Sequence, residues 1–216
     1  MKPPPPLPLL YLITDRRAFR RKPDYALSAQ LELIRLAAQS GVQLIQIREK
    51  DLSARALTWL TRQAIAVARP HGAKVLVNDR LDVALAAKAD GVHLRVNSPA
   101  ASDVRDIVRC KGLTDFLIGV STHSLAEAQA AEAGGADFIV CGPVYDTPSK
   151  REFGAPLGLE KFAEICRAVT LPVLALGGIT FANLLEPLQR GAAGIAAISL
   201  FAQAENLQQL SAVRMP

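Results

Sequence analysis

The sequence repeats one pattern eight times: a short aliphatic run, a polar turn, and an alanine- and leucine-rich stretch with helical spacing. The aliphatic runs are almost continuously apolar, which is typical of parallel strands buried on both faces. The predicted strands are residues 9–14, 43–48, 74–78, 91–94, 116–120, 138–141, 173–176 and 195–199. The predicted helices lie near residues 26–40, 53–69, 80–88, 102–109, 124–133, 158–168, 180–190 and 202–212.

Eight strand–helix units within 216 residues predict an α/β protein with a single (β/α)8 barrel. A doubly wound open sheet is the alternative, but no GxGxxG pattern follows the first strand. We expect a proline-rich tail over residues 1–8 and one catalytic barrel domain over residues 9–216. In such barrels the chemistry gathers at the C-terminal ends of the strands, so the polar residues there are the candidates for function.

The net charge of +5 is concentrated, since five basic residues fall within positions 16–22. Aromatic residues make up only 5% of the chain. A nucleic-acid-binding protein would have a broad basic face with aromatic side chains for stacking, so we expect no nucleic-acid partner. The basic stretch is either a solvated loop or a patch that attracts an anionic substrate.

Neither a membrane span nor a secretory leader is expected. No apolar run approaches the ~18 residues that a span needs, and residues 1–8 are rich in proline. Cys110, Cys141 and Cys166 are widely spaced and form no CxxC pattern, which argues against a disulfide scaffold or a zinc site. The sequence therefore predicts a cytoplasmic protein and leaves its oligomeric state open, a homo-oligomer being one option.

The second predicted strand ends in a cationic cluster. Alternation places Gln46 and Arg48 on the same face, with Lys50 following on the loop. An amide, a guanidinium and an ammonium together suit a phosphate or a diphosphate. The alternative is that Arg48 forms a buried ion pair with Glu49 that closes the barrel.

The next three strands end in groups that suit metal binding or proton transfer. Asn78 and Asp79 offer oxygen ligands for Mg²⁺, or Asp79 caps the following helix. His93 lies near the end of the fourth predicted strand and His123 follows the fifth, and two imidazoles near one mouth could perform acid–base work. The alternative for each histidine is a structural hydrogen bond.

The loop after the sixth strand, residues 142–151, is long for a compact domain. Its Thr147, Ser149 and Lys150 could close over a phosphate group, as lids do in many enzymes. A flexible surface loop is the alternative.

The last two strands end in residues that suit phosphate binding. Two glycines, of which Gly178 is the second, follow the seventh strand, and Ser199 follows the eighth. Glycines let backbone N–H groups approach an anion, and barrels often bind phosphate at this place.

Taken together, these motifs resemble the thiamine phosphate synthase superfamily, which also includes the TenI-like thiazole tautomerases. The resemblance runs from Leu10 to Ser199, nearly the whole chain. Its marks are QIREK at 46–50, ND at 78–79, DGVHL at 90–94, GVSTHS at 119–124, GPVYDTPSK at 142–150 and ALGGI at 175–179. The combination is highly specific, although each motif alone is not.

The resemblance implies a transferase that joins hydroxymethylpyrimidine diphosphate to hydroxyethylthiazole phosphate and releases diphosphate. It implies that the pyrimidine diphosphate is bound by Gln46, Arg48, Lys50 and Asn78. It implies that the thiazole phosphate is bound by Thr147, Ser149, Gly178, Ile198 and Ser199. Ser121 and Lys150 would act on the departing diphosphate, with His123 as a further catalytic candidate, and Asp79 would be a Mg²⁺ ligand.

One position departs from the synthase pattern. The second metal-binding aspartate of the family is expected after DGVHL, but positions 95–98 read Arg-Val-Asn-Ser, so Ser98 stands in its place. A hydroxyl supplies no negative charge, so either magnesium binds weakly or Asp103 substitutes. The departure keeps two alternatives open: a thiazole tautomerase that uses His123, and a non-catalytic paralogue that binds thiamine precursors.

Overall fold

The computed structural model describes residues 8–16, 23–147, 155–201 and 206–207. In this part of the chain, parallel strands alternate with helices. The strands are β1 (Leu9–Ile13), β2 (Leu44–Ile47), β3 (Lys74–Asn78), β4 (Gly91–Leu94), β5 (Leu117–Thr122), β6 (Phe138–Cys141), β7 (Val173–Leu176) and β8 (Gly194–Ala197). The helices are α1 (Pro23–Gln39), α2 (Ala54–Ala68), α3 (Leu81–Ala87), α4 (Ala101–Cys110), α5 (Leu125–Ala133), α6 (Gly158–Ala168) and α7 (Leu185–Gln189).

The strands form one closed barrel in chain order, β1 to β8. Each strand pairs in parallel with the next, and β8 pairs with β1, where Leu9 lies opposite Gly194. The predicted single (β/α)8 barrel is confirmed. Most strand residues are buried because one face packs inside the barrel and the other packs against the helices.

The barrel interior is filled by alternate strand residues, here called the inner cluster. Its buried members are Tyr11, Ile13, Leu44, Leu76, Phe138, Val140, Leu174 and Ala196. The intervening strand residues face the helices and form the larger apolar core. Because side chains alternate along a strand, the next inward positions after Leu44 and Leu76 are Gln46 and Asn78. The polar residues of the mouth therefore rest directly on the inner cluster.

Some predicted boundaries differ from the structure. Strand β5 continues to Thr122 because Ser121 pairs with Val140 and Thr122 pairs with Cys141, and backbone pairing does not depend on the polarity of the side chains. Helix α7 begins at Leu185 instead of residue 180, after a turn in which the Thr180 N–H donates to Asn183 Oδ1 over 2.8 Å. Of the predicted last helix, the described residues include only 206–207, which are helical.

None of the helices in the described part of the chain is long and apolar enough to cross a membrane. Apart from Pro8, the predicted proline-rich tail lies outside the described residues. The same holds for the predicted basic stretch, of which Arg16 alone is described.

Candidate active site

The candidate site is the barrel mouth, because the C-terminal ends of all eight parallel strands open at the same end of a closed barrel. The described site candidates all lie at or just beyond these ends. They are Gln46, Arg48 and Lys50 at β2, Asn78 and Asp79 at β3, Ser121 and His123 at β5, Thr147 after β6, Gly178 after β7, and Ile198 and Ser199 after β8. Ser149 and Lys150 lie outside the described residues.

A buried network of polar side chains connects four strands, β1, β2, β4 and β5, beneath the mouth. Gln46 Nε2 donates to the Tyr11 hydroxyl over 3.1 Å, and that hydroxyl lies 3.2 Å from His93 Nδ1. On the other side of the ring, His93 Nε2 lies 2.8 Å from Ser121 Oγ. Gly119 makes room for this arrangement, since a Cβ there would lie 2.8 Å from His93 Nδ1. Both Gln46 and Ser121 are thereby held in place by groups deeper in the barrel.

The two histidines differ in what chemistry they can perform. Burial, and next the positive charge of Arg48, lower the pKa of His93 to about 3, so its ring is neutral at neutral pH. His93 therefore cannot serve as an imidazolium general acid there, and the alternative of a structural hydrogen-bonding role is the better account. His123 is exposed instead, and its Nδ1 contacts the Gly142 carbonyl oxygen. Its Nε2 is the nitrogen left for chemistry.

Asp79 is held by its own neighbours rather than used as a helix cap. The Ser98 hydroxyl donates to Asp79 Oδ1, and Arg95 Nη1 lies 3.6 Å from Asp79 Oδ2. Ser98 Oγ also accepts the Arg95 N–H over 2.8 Å, which closes a turn after β4. Helix α3 has no side-chain cap, so the alternative reading of Asp79 as a helix cap is wrong.

These contacts test whether the mouth fits the magnesium that the family implies. Asp79 contributes one carboxylate, and both of its oxygens already contact Ser98 or Arg95. Asp103, the proposed substitute, belongs to the first turn of α4 and is exposed. No cluster of three or more His, Cys, Asp or Glu side chains that could hold a metal occurs among the described residues. The residues present therefore do not fit a two-carboxylate magnesium site.

Glu49 is buried but does not face the mouth, because alternation turns it away from Gln46 and Arg48. Its carboxylate accepts hydrogen bonds from Thr14 Oγ1 at 2.8 Å, from Gln30 Nε2, and from Arg16 Nη1 at 3.1 Å. Glu49 is thus ion-paired with Arg16, a partner that the alternative of an Arg48–Glu49 pair did not anticipate. Arg16 also pairs with Asp51, so it joins the end of β1 to the residues that follow β2.

The described start of the loop after β6 is fixed to the end of β7. The Val144 N–H donates to the Leu176 carbonyl over 2.8 Å, and the Tyr145 N–H donates to the Gly177 carbonyl over 3.1 Å. Gly178 has φ +68°, and a Cβ there would lie only 2.6 Å from the Tyr145 Cβ. This close approach brings the loop that carries Thr147 against the turn at Gly178.

The β8 end contributes two residues of different character. Ile198 packs against the inner cluster, whereas Ser199 is exposed and begins a short 3-10 turn, residues Ser199–Phe201. Ser199 therefore lies on the mouth surface and Ile198 lies beneath it.

The sequence reasoning did not assign the structural roles of three residues in or around the mouth. The inward orientation of Tyr11 could have been predicted, because alternation along β1 places Tyr11 on the same face as Ile13. The role of Arg95 has no local signal, because its partner Asp79 follows a different strand. The partner of Glu49 likewise comes from a loop 33 residues away.

Comparison with known families decides what this mouth belongs to. The family model for thiamine monophosphate synthase, which also covers TenI proteins, matches residues 10–201. The chain belongs to the thiamine monophosphate synthase family. Thiamine-phosphate synthase from Methanoculleus marisnigri is 42% identical over 88% of this chain and 85% of its own length. The enzyme of the same name from Roseiflexus sp. strain RS-1 is 40% identical over 88% of this chain and 77% of its own length.

A solved structure in the thiamine monophosphate synthase family agrees with this assignment. Thiamine phosphate pyrophosphorylase from Pyrococcus furiosus superposes with a TM-score of 0.79 and is 33% identical. The match covers 94% of this chain and 95% of that one. The predicted family and barrel fold are therefore both confirmed.

Proposed function

We propose that this chain is a thiamine-phosphate synthase, which joins hydroxymethylpyrimidine diphosphate to hydroxyethylthiazole phosphate and releases diphosphate. The observation that carries the proposal is the convergence of Gln46, Arg48, Asn78 and Ser121 at one barrel mouth. Relatives that match most of the chain at 40–42% identity bear the synthase name. Such a mouth offers hydrogen-bond donors and positive charge to a substrate whose leaving group is an anion.

The proposed chemistry follows the charge that develops on the leaving group. When the bond between the pyrimidine methylene and the diphosphate oxygen breaks, negative charge accumulates on the diphosphate. Arg48, Lys50 and Lys150 supply positive charge and Ser121 supplies a hydrogen bond, each of which stabilises that charge. The thiazole nitrogen then attacks the methylene cation, and holding both substrates in place removes part of the entropic barrier.

The opposite side of the mouth is proposed to hold the thiazole phosphate. Gly178 and Ser199 bring backbone N–H groups to the ends of β7 and β8, where barrels often bind phosphate. Thr147 and Ser149 would add hydroxyl groups from the loop after β6. Ile198 would pack beneath the ring from its place beside the inner cluster.

We assign no catalytic step to Mg²⁺, because the Asp79 carboxylate contacts Arg95 and Ser98. The two substrates are small phosphorylated molecules, and we keep the cytoplasm as the proposed compartment. The division into a tail over residues 1–8 and a catalytic domain over residues 9–216 is likewise part of the proposal.

A thiazole tautomerase is the second candidate, and two observations favour it. The exposed His123 ring is oriented through Nδ1 by the Gly142 carbonyl, which leaves Nε2 to accept a proton. Among the described residues, no second carboxylate lies beside Asp79 to complete a two-carboxylate metal site, which suits an isomerisation that needs no metal. In this reading His123→Gln would lower the isomerisation rate by ~10²–10⁴-fold, whereas it would harm a synthase only modestly.

The deciding experiment incubates the purified protein with both synthase substrates, in parallel with carboxythiazole phosphate alone. Each reaction is run with Mg²⁺ and with EDTA, and thiamine phosphate, diphosphate and the isomerised thiazole are quantified. Formation of thiamine phosphate supports the synthase. Isomerisation alone, insensitive to EDTA and lost in His123→Gln, supports the tautomerase. Binding of both substrates without turnover would overturn both and leave the non-catalytic paralogue.

A further inference from the structure

The buried polar chain beneath the mouth contains more side chains than substrate binding alone explains. Tyr11 is 0% exposed and His93 is 2% exposed, so neither is a surface contact. They lie 82 residues apart in sequence, and their rings pack at a centroid distance of 5.7 Å. Tyr11 also packs edge-on against Phe138 at 5.5 Å, which fixes the ring from below. Two rigid, buried rings thus connect Gln46 to Ser121.

The direction of each hydrogen bond in this polar network follows from counting the hydrogens that its four residues carry. The Tyr11 hydroxyl accepts from Gln46 Nε2, and burial raises the pKa of Tyr11 above its ordinary value, so the phenol keeps its proton. Among the described residues, His93 Nδ1 lies 3.2 Å from the Tyr11 hydroxyl and accepts that proton in a hydrogen bond. The neutral His93 ring then carries its own hydrogen on Nε2 and donates it to Ser121 Oγ at 2.8 Å.

The opposite arrangement is less favourable. If His93 carried its hydrogen on Nδ1, the Tyr11 hydroxyl would receive two donors, from Gln46 and from His93. Its own hydrogen would then be buried without an acceptor among the four residues of the polar network, which costs about 1–3 kcal/mol. The Nε2–H form of His93 satisfies every member of the chain.

We propose that Tyr11 and His93 are positioning residues that turn Ser121 into a hydrogen-bond donor toward an anionic group at the mouth. Because Ser121 Oγ accepts from His93 Nε2–H, its own hydrogen points away from His93 and is free to meet an anion. The reversed His93 tautomer would draw that hydrogen back to Nε2, and Ser121 would then present lone pairs to the anion. The proposal rests on the proposed function for the identity of the anion, which is diphosphate.

The first test reads the tautomers directly, by long-range ¹H–¹⁵N correlation spectra of the ¹⁵N-labelled protein at neutral pH. His93 should carry its hydrogen on Nε2, whereas His123 should carry it on Nδ1 because that atom contacts the Gly142 carbonyl. The two rings thus serve as opposite references in one spectrum. His93 protonated on Nδ1 in the wild-type protein would overturn the proposal without any variant.

The second test uses Tyr11→Phe, which keeps the ring and its packing against Phe138 but removes the hydroxyl. We expect His93 to lose its preference for the Nε2–H form. Tyr145→Phe is the matched control, since the Tyr145 hydroxyl donates to Glu186 over 2.8 Å and not to His93. The control should leave the His93 tautomer unchanged, and an equal change in both variants would contradict the proposal.

The third test is a double-mutant cycle for inorganic diphosphate binding, measured by calorimetry. Tyr11→Phe and Ser121→Ala should each weaken binding by about 10-fold or more, and the double variant should be no weaker than Ser121→Ala alone. Additive losses would mean that Tyr11 does not act through Ser121. Absence of diphosphate binding by the wild-type protein would also overturn the proposal.

This outcome is separable from that of the proposed function. Thiamine phosphate formation together with equal diphosphate affinity in all variants would remove the positioning role and leave the synthase standing. If the tautomers and the double-mutant cycle are as expected but the protein forms no thiamine phosphate, the positioning role stands and the synthase proposal fails.

Discussion

Ser98→Asp is the substitution that most sharply tests how this mouth carries charge. It restores the carboxylate of the family pattern in direct contact with Asp79, where Ser98 now donates a hydrogen bond. Two carboxylates about 4 Å apart repel each other by roughly 1–4 kcal/mol for effective dielectric constants between ~80 and ~20. Arg95, whose side chain is 42% exposed and lies 3.6 Å from Asp79, offsets only part of this.

We therefore expect Ser98→Asp to be less stable than the wild-type protein without divalent ions. For a chain of this size, each kcal/mol lowers Tm by about 2–4 °C. Mg²⁺ should reverse the loss, because a cation between two carboxylates binds the folded state alone. At ten times its Kd the stabilisation is about 1.4 kcal/mol.

The measurement is a thermal melt at increasing MgCl₂, with NaCl matched for ionic strength. Ser98→Asn is the control, since its amide has nearly the size of aspartate but no charge. Both the wild-type protein and Ser98→Asn should respond weakly to Mg²⁺. A wild-type Tm that rises as much as that of Ser98→Asp would refute the reasoning, because Asp79 would then hold the metal despite Ser98 and Arg95.

Three further predictions concern other parts of the mouth. Arg48→Ala should lower synthase kcat/KM by at least about 10-fold, or ~1.4 kcal/mol. Arg62 is exposed, and Arg62→Ala should change kcat/KM by no more than about 2-fold in the same assay, so equal losses would remove Arg48 from the site. Gly178→Ala should lower the free energy of urea unfolding by more than Gly158→Ala does. Both glycines have positive φ, but only a Cβ at position 178 would clash, with Tyr145. Equal losses would mean that the clash relaxes. Since burial lowers the pKa of His93 from 6.5 to about 3, the unfolded chain binds the extra proton, and stability should fall by up to ~1.4 kcal/mol per pH unit as pH drops through that range. Urea titrations at several pH values should show a shallower slope in His93→Gln, and an unchanged slope would contradict the buried neutral ring.

The barrel itself could be predicted from local sequence. Eight nearly continuous apolar runs, each followed by a helical stretch, require parallel strands covered on both faces, and the closed barrel satisfies all of them. Strand alternation also placed Gln46 and Arg48 on one face and turned Glu49 away from it. The predicted strand ends were wrong where backbone pairing continues beyond the apolar residues, as in β5, which extends through Ser121 to Thr122.

What the tertiary structure alone decided is which side chains meet across the mouth. Arg16 is the partner of Glu49, Arg95 contacts Asp79, and Tyr11 lies against His93. Periodicity tells which face of a strand a residue occupies, because it depends on neighbours in sequence. The partner depends on the register and tilt that closure imposes on all eight strands together. A pattern of residues can therefore predict a polar mouth, but only the closed barrel shows that Asp79 meets an arginine and that Ser121 rests on a buried histidine.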